Sequence, residues 1–114
     1  MKVIITKSFE KDFLKILKYK TFLVDFSKLL KDKSYKFIDL KYPYKKFKYK
    51  ISNISLRTIL LCNLDNNIIP IFIAKKSNKK DWYNIILDQQ FEFLLEKRLL
   101  NIKKDMKEWN IKIF

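Results

Sequence analysis

A strict two-residue alternation between Lys46 and Ile51 is the feature that most constrains the fold of this chain. Lysine occupies every second position, and aromatic or aliphatic residues occupy the positions between. Such alternation is typical of a β-strand with one buried and one solvated face. The pattern predicts an exposed stripe of Lys46, Lys48 and Lys50, spaced about 7 Å apart, that suits a phosphate backbone.

Two apolar segments follow and complete a predicted three-stranded antiparallel meander. Residues 56–61 are almost continuously apolar, as expected of a central strand, with Arg57 as the exception near the start. Asparagine-containing turns separate the strands, because asparagine tolerates left-handed backbone geometry. The third strand covers 68–74, and Pro70 within it favours an edge position, at least locally.

The residues before the meander predict a strand and two amphipathic helices. A β-branched run at 3–5 predicts a buried strand. Ser8 and Thr21 are predicted to cap the helices, whose apolar residues recur at helical spacing. We expect this helical hairpin to bury its apolar face on the sheet. A short strand is also predicted within 37–40.

A long amphipathic helix is predicted for the C-terminal part of the chain. Asp81 is placed to cap it, and its apolar stripe extends from Trp82 towards Trp109. Unbroken, it would be roughly 40 Å long at 1.5 Å per residue. It therefore either breaks near Asn101 or projects to meet a partner, and 109–114 also suit a short strand. The predicted fold class is α+β: an N-terminal strand and helical hairpin packed on a twisted antiparallel sheet, with a long C-terminal helix.

The composition indicates a strongly basic protein. There are 26 Lys+Arg against 12 Asp+Glu, a formal net charge of +14, which attracts nucleic acid, anionic membrane surfaces or acidic proteins. Histidine is absent and Cys62 is the only cysteine, so we expect no metal site, no cofactor and no histidine base. No apolar run spans a membrane and no signal peptide is visible, so a cytoplasmic protein is expected. We expect one domain over 1–114.

The order of strand, helical hairpin and meander resembles the RelE/ParE superfamily of bacterial type II toxins. The match is sharpest in 47–51 followed by 56–60. RelE-like ribonuclease toxins carry an aromatic-Lys-x-Lys-apolar strand and then an aromatic-Arg-apolar strand at this spacing. The family's glycine and aromatic before the arginine are Ser55 and Leu56 here. The resemblance implies a RelE-like core over about 1–83 and a helical extension over about 82–110.

The resemblance implies a toxin of a toxin–antitoxin system, a ribosome-dependent mRNA endonuclease that inhibits translation. Cleavage by attack of the 2′-OH needs a base, cations for the phosphate charge and an acid. Without histidine, neighbouring positive charge can lower the pKa of a lysine so that it serves as the base. A metal-independent site is thus predicted, with Lys48 or Lys50 as base or electrostatic helper and Arg57 as the phosphate clamp.

Other residues complete the predicted site. Lys46, Lys75 and Lys76 are predicted to contact RNA phosphates, and Tyr83 to orient a base or the 2′-OH. Asp81 is a weaker candidate for proton transfer, because a helix cap explains it better. Each assignment has a structural alternative. Lys46, Lys48 and Lys50 could simply solubilise an open sheet face, and Tyr83 could belong to the core.

The partners implied by the resemblance are mRNA on the ribosome and a cognate antitoxin that covers the basic face. The C-terminal helix is a candidate surface for homo- or hetero-oligomers. Gyrase-poisoning ParE-like relatives share the scaffold, so fold alone does not separate the two activities. Non-enzymatic RNA or ribosome binding through the lysine stripe, and a protein-interaction module built on the C-terminal helix, are further alternatives. Arg57 could also pair structurally with a carboxylate such as Glu92.

Overall fold

The structure is a computed structural model that describes residues 2–32, 37–40, 42–62, 66–75 and 89–114. Three helices and six strands lie in these ranges, so the predicted α+β class is confirmed. In chain order they are β1 (Lys2–Thr6), α1 (Lys7–Leu17), α2 (Thr21–Lys31), β2 (Ile38–Asp39), β3 (Tyr44–Ile51), β4 (Ile54–Cys62), β5 (Asn67–Lys75), α3 (Gln89–Lys107) and β6 (Ile111–Ile113).

The strands form one open, mixed sheet in the order β2-β3-β4-β5-β1-β6. β3, β4 and β5 are antiparallel neighbours, which confirms the predicted meander. β1 pairs in parallel with β5 and antiparallel with β6. The sheet is therefore wider than the predicted one, and the two ends of the chain lie side by side at one edge.

The turn between β3 and β4 forms without glycine, a residue that the chain lacks. Ser52 and Asn53 have positive φ angles of 52° and 63°, as a two-residue type I′ turn requires. The predicted turn at these residues is confirmed. This short turn sets the register in which Lys48 lies opposite Arg57.

β5 is an interior strand, so the edge position predicted from Pro70 is wrong for the strand as a whole. It lies between β4 and β1. The β4–β5 register shifts between Ile59 and Leu60, whose partners are Phe72 and Pro70, and β1 pairs with β5 upstream of the proline. Because the ladder is irregular at this bulge, a residue without an N–H is tolerated there.

The helical hairpin covers one face of the sheet, as predicted. The rings of Phe9, Phe13 and Phe26 on α1 and α2 have centroids 5.5 to 6.1 Å apart. Phe26 also packs on Phe47 and Tyr49 of β3, and all five side chains are buried. This aromatic core fixes the apolar side of β3, so the lysines of the same strand must face away from it.

Tyr49 is a core residue despite its hydroxyl group. The hydroxyl lies 2.7 Å from that of Thr58, which is also buried. Burial raises the pKa of Tyr49 far above its ordinary value, and the hydrogen bond to Thr58 opposes this only in part. The phenol therefore stays neutral and satisfies Thr58 inside the core.

The start of each helix differs from the prediction. Thr6, not Ser8, caps α1, because its hydroxyl accepts a hydrogen bond from the Phe9 N–H at 3.2 Å. Ser8 lies in the first turn and donates from its N–H and hydroxyl to the Asp105 carboxylate of α3, at 2.8 and 2.6 Å. Thr21 is the first residue of α2 and not its cap. Ser8 therefore bonds to a residue of another helix and does not cap its own.

α3 covers part of the second face of the sheet. Leu95 and Ile102, each 2% exposed, pack in one apolar cluster with residues of β1, β4 and β5. The helix continues unbroken through Asn101, where a break was one of the two predictions. Its predicted first part, from Trp82, lies outside the described residues, so the predicted length is untested. Within the described ranges, no helix has the length and apolarity needed to span a membrane.

Polar contacts tie the C-terminal elements to α1. Arg98 of α3 forms an ion pair with Asp12 and lies over the ring of Phe72, 5.2 Å from its centroid. Lys112 of β6 binds Glu10 at 2.7 Å. β6 itself confirms the alternative prediction of a short strand within 109–114. The residues after α3 therefore return to the sheet and do not continue as a projecting helix.

Candidate nucleic-acid interface

β3 and β4 place four of the predicted site residues on one face of the sheet. Lys48 lies directly opposite Arg57, and Lys46 lies opposite Ile59, the next residue of β4 on that face. Directly opposite residues of an antiparallel pair share a face, with Cβ atoms roughly 4.5 to 5.5 Å apart. Lys46, Lys48, Lys50 and Arg57 therefore form one group, which we call the basic cluster.

Exposure divides the basic cluster into two halves. Lys48 and Lys50 are exposed, as predicted, whereas Lys46 is only 7% exposed and Arg57 only 6%. The prediction of uniform exposure along the stripe is therefore wrong for Lys46. Lys46 lies between Ile38 of β2 and Ile59 of β4, whereas β2 has no residue opposite Lys48 or Lys50.

Its surroundings lower the pKa of Lys46. Burial is the largest cause, and the positive charges of Lys48 and Arg57 add to it. Among the ion pairs within the described ranges, none involves Lys46. Both causes disfavour the ammonium form, so Lys46 releases its proton more readily than a lysine in water. It is the lysine of this cluster with the clearest physical basis for accepting a proton.

Arg57 occupies the centre of the basic cluster. It lies between Lys48 of β3 and Ala74 of β5, on a central strand. A guanidinium group presents a planar fork of N–H donors that matches two oxygens of one phosphate. Ala74 packs in the apolar cluster under α3, so Arg57 lies at the border between that cluster and the exposed lysines of β3. Its setting therefore suits a phosphate that is already held by the exposed lysines.

The register separates Lys75 from the basic cluster. Lys75 lies opposite Leu56, which is buried in the core under the helical hairpin. Arg57 is the next residue after Leu56, and successive side chains of a strand point to opposite faces. Lys75 therefore leaves the sheet on the face away from Arg57, so the structure does not bring these two predicted phosphate ligands together.

Several predicted site residues lie outside the described part of the chain. These are Lys76, Asp81 and Tyr83, together with the side chain of Glu92 as the alternative partner of Arg57. Their assignments stay predictions from the sequence. The described site thus consists of the four residues of the basic cluster.

The special position of Lys46 is not visible in the alternating pattern. Lys46, Lys48 and Lys50 occupy equivalent positions along β3, and the prediction gave Lys46 only a phosphate contact. The usable signal lay in the short strand predicted within 37–40. A strand of that length can pair with only one end of β3. The lysine beside it is then less exposed to solvent than the other two.

No protein-family model, curated protein or solved structure matches this chain. A functional assignment therefore depends on the geometry of the basic cluster and on the residue pattern from 47 to 57.

Proposed function

We propose that this chain is the toxin of a toxin–antitoxin system and cleaves mRNA on the ribosome. The observation that carries the proposal is the basic cluster, in which a buried lysine of lowered pKa lies beside a buried arginine and two exposed lysines. These groups supply what RNA cleavage by internal attack requires when histidine is absent. The RelE-like order of strand, helical hairpin and meander supports the same assignment.

In the proposed reaction the neutral Lys46 amine takes the proton of a ribose 2′-OH. The 2′-oxygen bonds to the adjacent phosphorus, and the bond from phosphorus to the 5′-oxygen breaks. An ammonium group of the cluster returns a proton to the leaving oxygen. The products are a 2′,3′-cyclic phosphate and a 5′-hydroxyl end, so the step consumes no water, metal or cofactor.

The remaining members of the basic cluster have separate roles in this proposal. Lys48 and Lys50 hold the RNA backbone, and the charges of Lys48 and Arg57 favour the neutral form of Lys46. Arg57 binds the non-bridging oxygens of the scissile phosphate, where negative charge grows in the transition state. Lys46 therefore takes the role of base that the sequence pattern assigned to Lys48 or Lys50.

Primer extension on mRNA in a reconstituted translation reaction, with and without ribosomes, tests the proposal. We expect discrete cuts that require ribosomes. Arg57→Ala should reduce them at least 100-fold, the usual cost of losing one transition-state contact. Arg57→Lys should restore little activity, because an ammonium group lacks the bidentate geometry.

The matched control is Lys28→Ala, which removes one exposed charge from α2 on the other face of the sheet. It should leave cleavage within about twofold of wild type, since distant surface charges contribute weakly. A folded wild-type protein that makes no cuts would refute the nuclease assignment. RNA binding that tolerates Arg57→Lys would then support the non-enzymatic alternative, and gyrase assays would test the ParE-like one.

A further inference from the structure

The outer edge of β6 carries backbone groups without a strand partner. Val3 exchanges two hydrogen bonds with Phe114, at 3.1 and 2.9 Å, and the Lys7 N–H donates to Asn110. In an antiparallel pair such bonded residues alternate with residues whose backbone groups point the other way. The N–H and C=O groups of Ile111 and Ile113 therefore point away from β1. Among the described residues, no strand pairs with this side of β6.

Trp109, two residues before β6, is held in an unfavourable backbone conformation. Its φ is 58°, and its N–H donates to Met106 while the Asn110 N–H donates to Asp105. These two bonds are those of a helix-ending motif whose left-handed position normally holds glycine. A tryptophan there is conformationally unfavourable, because its Cβ atom crowds the following carbonyl oxygen. With 78% of its surface exposed, the side chain recovers little of that cost by burial.

Trp109 and the free edge border a common depression. It has a volume of about 260 Å³, and Lys7, Glu10, Ile111 and Lys112 are among its lining residues. Apolar side chains are exposed beside it as well, since Ile113 is 53% exposed. A strained, exposed aromatic residue next to unpaired backbone groups is an arrangement that an added strand would complete.

We propose that the outer edge of β6 and Trp109 form a docking site for an extended, acidic segment of a partner protein. The segment would pair with the backbone of Ile111 and Ile113 and add one strand to the sheet. This edge is separated from the basic cluster by β5 and β1 in the sheet order. The inference is therefore independent of the proposed nuclease activity.

A second copy of the chain is the less favourable occupant. Antiparallel pairing of two β6 strands through Ile111 and Ile113 places one Lys112 directly opposite the other. Like charges at directly opposite positions are destabilising, and each chain carries a formal net charge of +14. Lys112 is paired with Glu10 of its own chain. Lys7 lies in the same depression, is exposed, and takes part in none of the ion pairs found within the described ranges, so it is the cation open to an acidic residue of the segment. Charge complementarity therefore selects an acidic segment.

The alternation of the strand also defines the pattern of the partner. Residues of the segment opposite Ile111 and Ile113 share the face that carries these apolar side chains, whereas the residue between them lies opposite Lys112. We therefore expect apolar residues to alternate with aspartate or glutamate. An apolar end of the segment would cover the ring of Trp109.

Titration of the whole protein with an end-blocked peptide of alternating valine and glutamate, followed by NMR, tests the inference. We expect shifts and slowed exchange at the amides of Ile111 and Ile113, and a shift of the Trp109 indole signal. A peptide of alternating valine and lysine should bind at least tenfold more weakly. Binding confined to the basic cluster, or equal binding of both peptides, would overturn the inference.

The matched variants are Ile113→Pro and Ile113→Val. Proline removes only an outward-pointing N–H and is tolerated at such an edge, whereas valine retains the donor. Ile113→Pro should weaken peptide binding about tenfold, as expected for one lost hydrogen bond, and Ile113→Val by less than about twofold.

Equal binding of the two variants would overturn the inference. Protection of Ile111 and Ile113 that grows with protein concentration in the absence of peptide would instead assign the edge to a second copy. If Ile113→Pro fails to fold, the binding of the two peptides to the wild-type protein still tests the inference. That experiment monitors the amide signals of Ile111 and Ile113 directly.

Discussion

Lys46 shows how one residue of a repeating pattern acquires a chemistry that its neighbours lack. Lys48 and Lys50 are exposed to solvent, whereas Lys46, which lies beside β2, is buried. A buried ammonium group beside other cations destabilises the folded state. In the proposed nuclease, the same burial that lowers the stability of the fold also lowers the pKa of Lys46.

We predict that Lys46→Met stabilises the fold while it abolishes cleavage. Methionine keeps a similar length and removes the buried charge, so the free energy of unfolding should rise on the order of 1 kcal/mol. The exposed Lys48→Met should change it by less than about 0.5 kcal/mol. Urea unfolding measures both, and a clear loss of stability in Lys46→Met would contradict this account of Lys46.

The pH dependence of the same measurement has a defined sign. The pKa of Lys46 is lower in the folded chain than its ordinary value of 10.5. Between these two pKa values the unfolded chain binds more protons, so wild-type stability rises with pH in that window. Below the folded pKa the cost of burying the charge is fully present. The advantage of Lys46→Met should therefore shrink as pH rises through the folded pKa towards 10.5.

At the scale of elements, α1 and α3 depend on each other through Asp105. This carboxylate is 9% exposed and accepts both hydrogen bonds from Ser8 in the first turn of α1. Helix N–H groups in the first turn have no partner within the helix, and a carboxylate there also suits the helix dipole. Asp105 therefore acts as a cap supplied from a different helix.

We predict that Asp105→Ala lowers the free energy of unfolding by about 1 to 3 kcal/mol, because it leaves the Ser8 N–H without its acceptor. Asp105→Asn keeps one oxygen acceptor and should lose roughly half as much. The control is Glu96→Ala, which removes an exposed acid from the same helix. Equal stability of Asp105→Ala and wild type in urea would show that this contact is dispensable.

The sequence predicted the elements whose signals are local. The alternation around Phe47, the apolar run of β4 and the Ser52-Asn53 turn specified the meander, and helical spacing specified the hairpin that covers it. The signals failed where a distant residue decides the outcome. α1 begins at Lys7 with Thr6 as its cap, so Ser8 lies within the helix and bonds to the distant Asp105, and the bulge near Pro70 admits proline to an interior strand.

The candidate site was predictable to the same extent. The spacing from the lysines to Arg57 placed them on one face, because hairpin register follows from turn length. It did not separate Lys46 from Lys48, since the difference depends on how far along β3 the pairing with β2 extends. Lys75 was grouped with Arg57 by the family resemblance, and the one-residue alternation of β5 puts it on the other face.

At the scale of the whole molecule, the two proposed surfaces lie in different parts of one sheet. The basic cluster is on β3 and β4, and the proposed docking edge is on β6, beyond β5 and β1. RNA and a protein partner could therefore bind together without sharing a residue. A partner that also covered the basic cluster would need a segment long enough to cross the sheet.

The measurement that tests the central claim most directly is the single-turnover rate of mRNA cleavage on the ribosome against pH. We predict that the wild-type rate rises with pH as Lys46 loses its proton. Lys46→Met should be slower by about 100-fold or more, the usual contribution of a general base, with the rise abolished. Lys28→Met should match wild type. A Lys46→Met protein that cleaves at the wild-type rate with the wild-type pH profile would contradict the account.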